Sequence, residues 1–466
     1  MEKKRNSFGG SFGFVLAAAG SAVGLGNIWR FPYLAAKDGG GLFIVIYIIL
    51  ALTFGFTLLS TEVAIGRRTK QSPLTAYSKI KKGWNFLGVF SCIVPMLIMP
   101  YYSAIGGWLL KYFTVFVTGQ GVAAANDNYF TSFISSTAEP IIFHVIFFAA
   151  VAFIIYRGVN KGIESISKVL MPALLVMVIG IAIFSVTIKH TDANGVTRTG
   201  LQGLKVLFIP SFKGLTVKGF FTVLMDAMGQ LFFSISVAMG IMITYGSYVA
   251  DDANLDKSVR QIELCDTAVA LLAGVMIIPA VFVFMGKEGM EASGPSLMFV
   301  SLPKVFAQMG FIGNIVGSVF FMMVIFAALT SAISILEAVV SSFMDAFGWS
   351  RKKALLVEGI IALIGGIIVC LGYNKFYFEL KLPTGSTGQI LDLLDYISNS
   401  ALMPIVAICT CILIGWVAGP QTVIDEVQKT GAKMSRKTMF IVIIKFLAPV
   451  LLLTLFLKSI GVLRII

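Results

Sequence analysis

Long apolar runs separated by short polar connections organise this chain. Eleven of them reach the roughly 20 residues that a helix needs to cross a bilayer core of about 30 Å. They cover residues 11–36, 41–65, 87–116, 139–157, 165–188, 219–249, 258–286, 312–346, 354–372, 388–418 and 438–458. Two runs are interrupted. The first carries Gly20, Gly24 and Gly26 together with Asn27, Arg30 and Pro32 inside apolar surroundings. The sixth is broken between Gly229 and Gly240, where Ser234, Ser236 and Ala238 do what glycines do in the first. Each interruption opens a set of five runs, and an odd period makes the second set enter from the opposite face. The pattern predicts an all-α polytopic membrane protein of one domain, 1–466, with broken helices 1 and 6. Residues 11–188 and 219–418 form an inverted repeat and 438–458 an extra helix.

The interruptions carry the chemistry. Glycine tolerates backbone that is not helical, and hydrocarbon tolerates such backbone only where it lines a protein cavity. Freed carbonyls and N–H groups at mid-membrane suit small cations and zwitterions. A Gly-rich packing helix would account for the glycines but not for Asn27 and Arg30, since an intramembrane charge points to function.

Composition narrows the reading. Hydrophobic residues make up 57% of the chain and charged residues 13%, which excludes a soluble protein. Net charge is +13, but its placement argues against nucleic acid. Basic residues gather at Lys3 to Arg5, at Arg67 to Lys82, at Arg157 to Lys168, at Arg351 to Lys353 and at Lys429 to Lys437. With a cytoplasmic N-terminus all of these face the cytoplasm, whereas 112–138 has no Lys or Arg, the positive-inside pattern. The 189–218 connection, with five basic residues, is the exception. Eleven spans then leave the C-terminus outside. The first run lacks a small-residue cleavage site, which predicts no cleavable signal peptide. The five cysteines lie in or beside apolar runs, and two histidines offer no metal cluster, so neither a disulfide framework nor a transition-metal site is expected. Sequons for N-glycosylation are absent, which fits the inner membrane of a prokaryote.

Several segments carry a family resemblance. Gly20 to Pro32 followed by Tyr33, then Asp38-Gly39-Gly40-Gly41 and Glu62 to Arg67, resemble the neurotransmitter:sodium symporter family. So do Thr244 to Tyr248, Gly294-Pro295 with Phe299-Val300, and Ala327 to Ser331. The resemblance runs in order along nearly the whole chain. An eleven-span count matches the family's bacterial amino-acid transporter branch.

That resemblance implies two sodium sites and no organic cofactor. One ion would sit against the Ala22 carbonyl, Asn27, Ser234 and Asp266, with the substrate carboxylate completing the shell. The other would use carbonyls of Gly20, Val23 and Ala327 with the hydroxyls of Thr330 and Ser331. Asp266 is the sharpest residue, because a lone carboxylate beside an apolar stretch is costly unless paired or ion-bound. Ala270, one turn on, offers no hydroxyl for chloride, so transport is expected to be chloride-independent. For Thr330 and Ser331 the plainer alternative is a hydroxyl bonded to the preceding turn.

Substrate class follows from Gly24, which stands where monoamine carriers of the family place an acid. An α-amino acid fits, its carboxylate on sodium, the Leu25 and Gly26 amides and Tyr102. Its amine would meet carbonyls near Ala22, Phe233 and Ser236. Ile98, Ile105, Phe233, Met239 and Ile335 would line an apolar side-chain pocket with room for a large or aromatic group. Arg30, Gln230 and Asp395 match the outer gate. Arg5, Ser247, Tyr248 and Asp345 match the inner one, where Phe8 replaces the family's usual Trp. The expectation is a sodium-coupled amino-acid importer working by alternating access in membrane lipid, and not an enzyme. A proton-coupled carrier and a non-transporting amino-acid sensor remain as alternatives.

Overall fold

The computed structural model describes residues 7–463 apart from 193, 213, 214, 292, 293 and 384. Among these, nine helices are long and apolar enough to span a membrane, and a bent pair, Ser11–Ala22 with Gly26–Lys37, makes a tenth (span 1). Spans 2 to 5 are Gly41–Thr69, Asn85–Val117, Glu139–Tyr156 and Val159–Thr187. Spans 7 to 11 are Leu255–Met285, Phe311–Phe347, Arg351–Leu371, Ile390–Val417 and Lys437–Ser459. The remaining expected span, span 6, is the pair Val217–Ser234 and Ile241–Ser247. Its break shortens both halves, and Lys218, Asp226 and Gln230 lower its hydropathy.

Both breaks fall where the sequence places them. Span 1 bends by 51° after Ala22, where Val23 is extended (φ −76°, ψ 91°). In span 6 the chain leaves the helix at Ile235 and passes through Ser236, Ala238 and Gly240 at φ 55°, 63° and 72°. Positive φ at two residues with side chains is strained and persists only where the surroundings fix it. They do so here. Ser236 Oγ donates to the Ser21 carbonyl at 3.0 Å, and the Ala238 amide donates to Glu62 Oε1 at 2.6 Å.

Close backbone approach sets the second half of span 6 against span 2. A Cβ at Gly66 would lie 2.0 Å from the Ile243 carbonyl, and one at Gly246 would lie 2.4 Å from the Val63 carbonyl. Small residues that let helices touch are a common solution inside membranes. Near the C-terminal end of span 2, Arg67 is fully buried and donates through Nε to Glu426 Oε1 (2.6 Å) and through Nη1 to the Ala253 carbonyl (2.6 Å). This ties the 418–436 connection to span 2.

The structure extends some elements and adds others. Span 5 starts at Val159, not 165, through a wide turn over Val159–Glu164. The polar run Val159-Asn160-Lys161 reads as a loop in sequence, but Glu164 is buried where it accepts the Gly9 amide at 2.8 Å. Short helices occupy connections, among them Pro73–Ile80, Gly200–Phe208 and Gln421–Gln428. Thr199 and Gln202 start the second with a reciprocal capping box. Two small antiparallel hairpins, Lys189–Thr191 with Thr197–Thr199 and Leu380–Lys381 with Thr387–Gly388, close two further connections.

Candidate functional site

The break in span 1 faces the break in span 6, and side chains from four spans meet beside it. Asn27 accepts the Gly24 amide on Oδ1 at 3.0 Å, which braces the non-helical turn. Its Nδ2 donates to Asp266 Oδ1 at 2.8 Å. Ser234 Oγ donates to the same oxygen at 2.6 Å, and the Tyr47 hydroxyl donates to Asp266 Oδ2 at 3.2 Å. Asn27, Tyr47, Ser234 and Asp266 are all buried. Three donors on one buried carboxylate hold its oxygens in place. The cluster gathers oxygens of the hard kind that a small cation takes.

Thr330 and Ser331 lie on span 8 against the same break, but they differ. Ser331 Oγ reaches across to the Ser21 carbonyl at 3.1 Å and the Gly20 carbonyl at 3.5 Å. Thr330 Oγ1 turns back onto its own helix, to Phe326 and Ala327 carbonyls at 3.0 Å each. Gly20 packs directly on Thr330, since a Cβ there would lie 3.2 Å from the Thr330 Cβ. The Ala327 carbonyl accepts the Thr330 hydroxyl, and Val23 is the extended residue at which span 1 breaks.

Between the two breaks lies a small cavity of about 30 Å³. Ala22, Gly24, Leu25, Gly26, Ile98, Tyr102, Phe233, Ser236, Met239 and Ile335 line it. Ile105 does not: it is buried, but one turn beyond Tyr102 on span 3 and outside the lining. The Phe233 ring packs on Gly26, where a Cβ would lie 2.9 Å from it. Ser21 and Ile241 line the cavity without having been singled out in the sequence.

At the outer end, Gln230 Nε2 donates to the Gly26 carbonyl at 2.9 Å. Arg30 and Asp395 are within electrostatic reach, but no ion pair joins them among the described residues. Asp395 Oδ1 instead accepts Asn399 Nδ2 at 2.6 Å, and the same amide reaches the Tyr101 hydroxyl at 3.1 Å. One oxygen of Asp395 is thus held by an asparagine of its own helix. Nearby, outside the spans, burial and the neighbouring Asp226 push the Asp38 carboxyl up to about 6.

At the inner end, Arg5 lies outside the described residues. Asp345 accepts the Ser72 amide and hydroxyl at 2.7 and 2.6 Å. The Tyr248 hydroxyl donates to Glu337 Oε1 at 2.6 Å, and Arg351 grips the same carboxylate with two bonds at 2.6 and 2.8 Å. Ser247 does not join this network through its hydroxyl, which bonds the Thr244 carbonyl of its own helix at 2.5 Å. Phe8 packs against Tyr245 and Tyr248, ring centroids 5.6 and 6.0 Å away.

Comparison with known proteins decides the family. A model of the sodium:neurotransmitter symporter family matches residues 5–132 and 134–465. The chain belongs to that family. It is 33% identical over 469 residues to the uncharacterised sodium-dependent transporter YhdH of Bacillus subtilis, covering 99% of each chain. To an uncharacterised sodium-dependent transporter of Methanocaldococcus jannaschii it is 32% identical over 441 residues, 91% of this chain and 85% of the other. Among solved structures it resembles MhsT in complex with L-phenylalanine, with a TM-score of 0.84 and 35% identity over 98% of this chain and 100% of that one. The broken-helix architecture of the symporter family is therefore the fold of this chain, and its members are sodium-dependent membrane transporters.

Tyr47 and Glu337 also escaped the sequence reading, and Glu62 was read there without its partner. Tyr47 sits among Ile, Tyr and Leu, with nothing but helical period to mark it. Glu62 was visible as an acid in an apolar run, yet its partner, the Ala238 amide, is far away in sequence. Glu337 and its pairing to Arg351 followed no motif and could have been flagged only as a carboxylate inside span 8.

Proposed function

We propose that this symporter-family protein imports an apolar, including aromatic, amino acid together with two sodium ions, without chloride. The observation that carries the reading is the convergence of Asn27, Ser234 and Tyr47 on the Asp266 carboxylate. A fixed negative charge there takes the place of a chloride ion beside the first sodium, whose shell the Ala22 carbonyl and the substrate carboxylate complete. Substrate and ion thereby become mutually dependent. The second ion is assigned to the carbonyls of Gly20, Val23 and Ala327 with Thr330 and Ser331. The hydroxyl of Thr330 has only to rotate away from its own helix to serve.

The amino acid's carboxylate faces the Leu25 and Gly26 amides, the positive end of a half-helix, which favours an anion. Tyr102 lies beside Leu25 and Ser331 and orients that group. Phe233 and Met239, both apolar and rotatable, line the cavity and can adapt to the substrate side chain. A solved relative at 35% identity binding L-phenylalanine supports this class. Spans 1–5 and 6–10 act as inverted repeats, with a cytoplasmic N-terminus, an extracytoplasmic C-terminus and a prokaryotic plasma membrane as the setting. No covalent chemistry or organic cofactor enters the cycle.

Two sodium ions with a zwitterion move two charges inward. That supplies about 4.6 kcal/mol per 100 mV, from about 2.3 per charge. Such energy concentrates substrate more than about a thousandfold. Competition of all twenty amino acids against labelled phenylalanine in proteoliposomes tests the substrate assignment. Leu, Ile, Met, Phe, Tyr and Trp should compete and Glu and Lys should not. Competition by Glu or Lys with none by the apolar set would overturn the pocket.

A further inference from the structure

Arg436, just before span 11, reaches two spans that meet at the ion cluster. Its Nη1 donates to the Leu52 carbonyl of span 2 at 2.8 Å and to both oxygens of Glu263 of span 7 at 3.0 and 3.1 Å. Its guanidinium lies 4.8 Å from the centroid of the Phe56 ring. Spans 2 and 7 run antiparallel and touch through the Tyr47 hydroxyl and Asp266. Glu263 is one turn before Asp266, and Leu52 is just over one turn after Tyr47. Both Arg436 contacts therefore sit on the same, cytoplasmic, flank of the Tyr47–Asp266 bond.

Two further observations single out this contact. Leu52 falls in the wide turn Ala51–Gly55, the one place in span 2, among the described residues, where the α-helical ladder is loosened. Such turns often sit at functional positions. Next to Arg436, the Ser435 amide and hydroxyl both hold Asp256 Oδ1 at 2.9 Å, so span 7 is gripped at a second height by the same segment. Glu263 is buried, and its charge needs this guanidinium. One guanidinium nitrogen bonds the carbonyl and the carboxylate while the planar group lies against an aromatic ring, a combination that Lys reproduces only in part.

We propose that Arg436 is a positioning residue for the ion cluster. By tying Leu52 to Glu263 it fixes the register of span 2 against span 7, and with it the reach of the Tyr47 hydroxyl to the Asp266 carboxylate. It touches neither ion nor substrate. The proposal rests on Asp266 being an ion ligand, and groups that orient ligands typically change ion affinity by about ten- to a hundredfold when removed.

The test measures sodium affinity through sodium-dependent binding of labelled phenylalanine to the purified full-length protein, alongside its melting temperature in sodium-free potassium buffer. Arg436→Gln with Glu263→Gln removes both charges and leaves no buried ion unpaired. Sodium affinity should fall about tenfold or more while the potassium melting temperature stays near that of the wild type. Arg436→Lys, which keeps the charge and the fold, should show an intermediate loss. Unchanged sodium affinity in either variant, whether or not the melting temperature drops, would overturn the proposal and leave Arg436 a structural clamp. Asp266→Asn, run in parallel, separates the two ideas. If it too leaves sodium affinity unchanged, the ion reading of Asp266 fails; if it alone lowers affinity, only the role of Arg436 fails.

Discussion

The Asp266 cluster and the Thr330–Ser331 pair flank the same break in span 1, yet they are built in different ways. Around Asp266, side chains from spans 1, 2 and 6 cross over to one carboxylate on span 7. At the other flank only Ser331 crosses to span 1, and Thr330 spends its hydroxyl within span 8. The first region is organised by a charge that cannot be left alone in an apolar interior, so every neighbouring donor is drawn to it. The second has no charge, and each hydroxyl finds a carbonyl close at hand. Bonds between spans predominate on one side, and bonds within a single helix take a share on the other.

The largest effect should come from the charged region. Asp266→Asn preserves volume but removes the charge that a cation meets in a dry site, and sodium affinity should fall by at least about tenfold. Normal affinity in radioactive sodium binding would place this carboxylate outside any ion shell and dissolve the contrast. On the uncharged flank, Thr330→Val with Ser331→Ala should abolish accumulation while leaving the protein folded. Taken singly, Ser331→Ala should cost more than Thr330→Val, because only Ser331 bridges two spans. The reverse ranking in an uptake assay would show that Thr330 leaves its helix to do the principal work.

A smaller effect is expected at the outer mouth. Arg30→Ala and Asp395→Ala should each slow uptake, and their combination should be non-additive if the two groups pair during the cycle. Adding Asn399→Ala sharpens this, since Asn399 holds the Asp395 carboxylate. Freed from it, Asp395 should couple more strongly to Arg30, and strictly additive losses throughout would mean the two never meet.

The mildest effect concerns Asp38, whose carboxyl is held at about 6 in the folded protein against about 3.9 when unfolded. The folded state binds this proton more tightly, so its contribution to stability is complete below about pH 4 and is lost as pH rises towards 6. Asp38→Asn should match the wild type in melting temperature near pH 4 and exceed it above pH 6. Parallel melting curves across that range would remove Asp38 as a titrating group.

The same contrast explains what could be read in the sequence. Asp266 was legible because it stands at the head of the apolar run from Thr267 to Phe284, where burying a charge demands a partner. The two breaks were legible because Gly24, Gly26, Ser234 and Ser236 interrupt long apolar runs. Tyr47 was not legible, since one hydroxyl among Ile and Leu looks like core until its partner 219 residues away is known. Ile105 keeps helical period with Ile98 and Tyr102, but period reports a face, not how far along it a cavity extends. Arg436 looked like one more cytoplasmic positive charge, and only folding reveals that its head is turned onto Leu52 and Glu263.

In the proposed cycle sodium alone, with a built-in carboxylate in place of chloride, drives amino-acid uptake. Its most direct test is accumulation of labelled phenylalanine by the wild-type protein in proteoliposomes, with an inward sodium gradient and gluconate as the sole major anion. Accumulation should equal that in chloride and vanish when potassium replaces sodium. Uptake that collapses without chloride, or that proceeds uphill without sodium, would contradict the account.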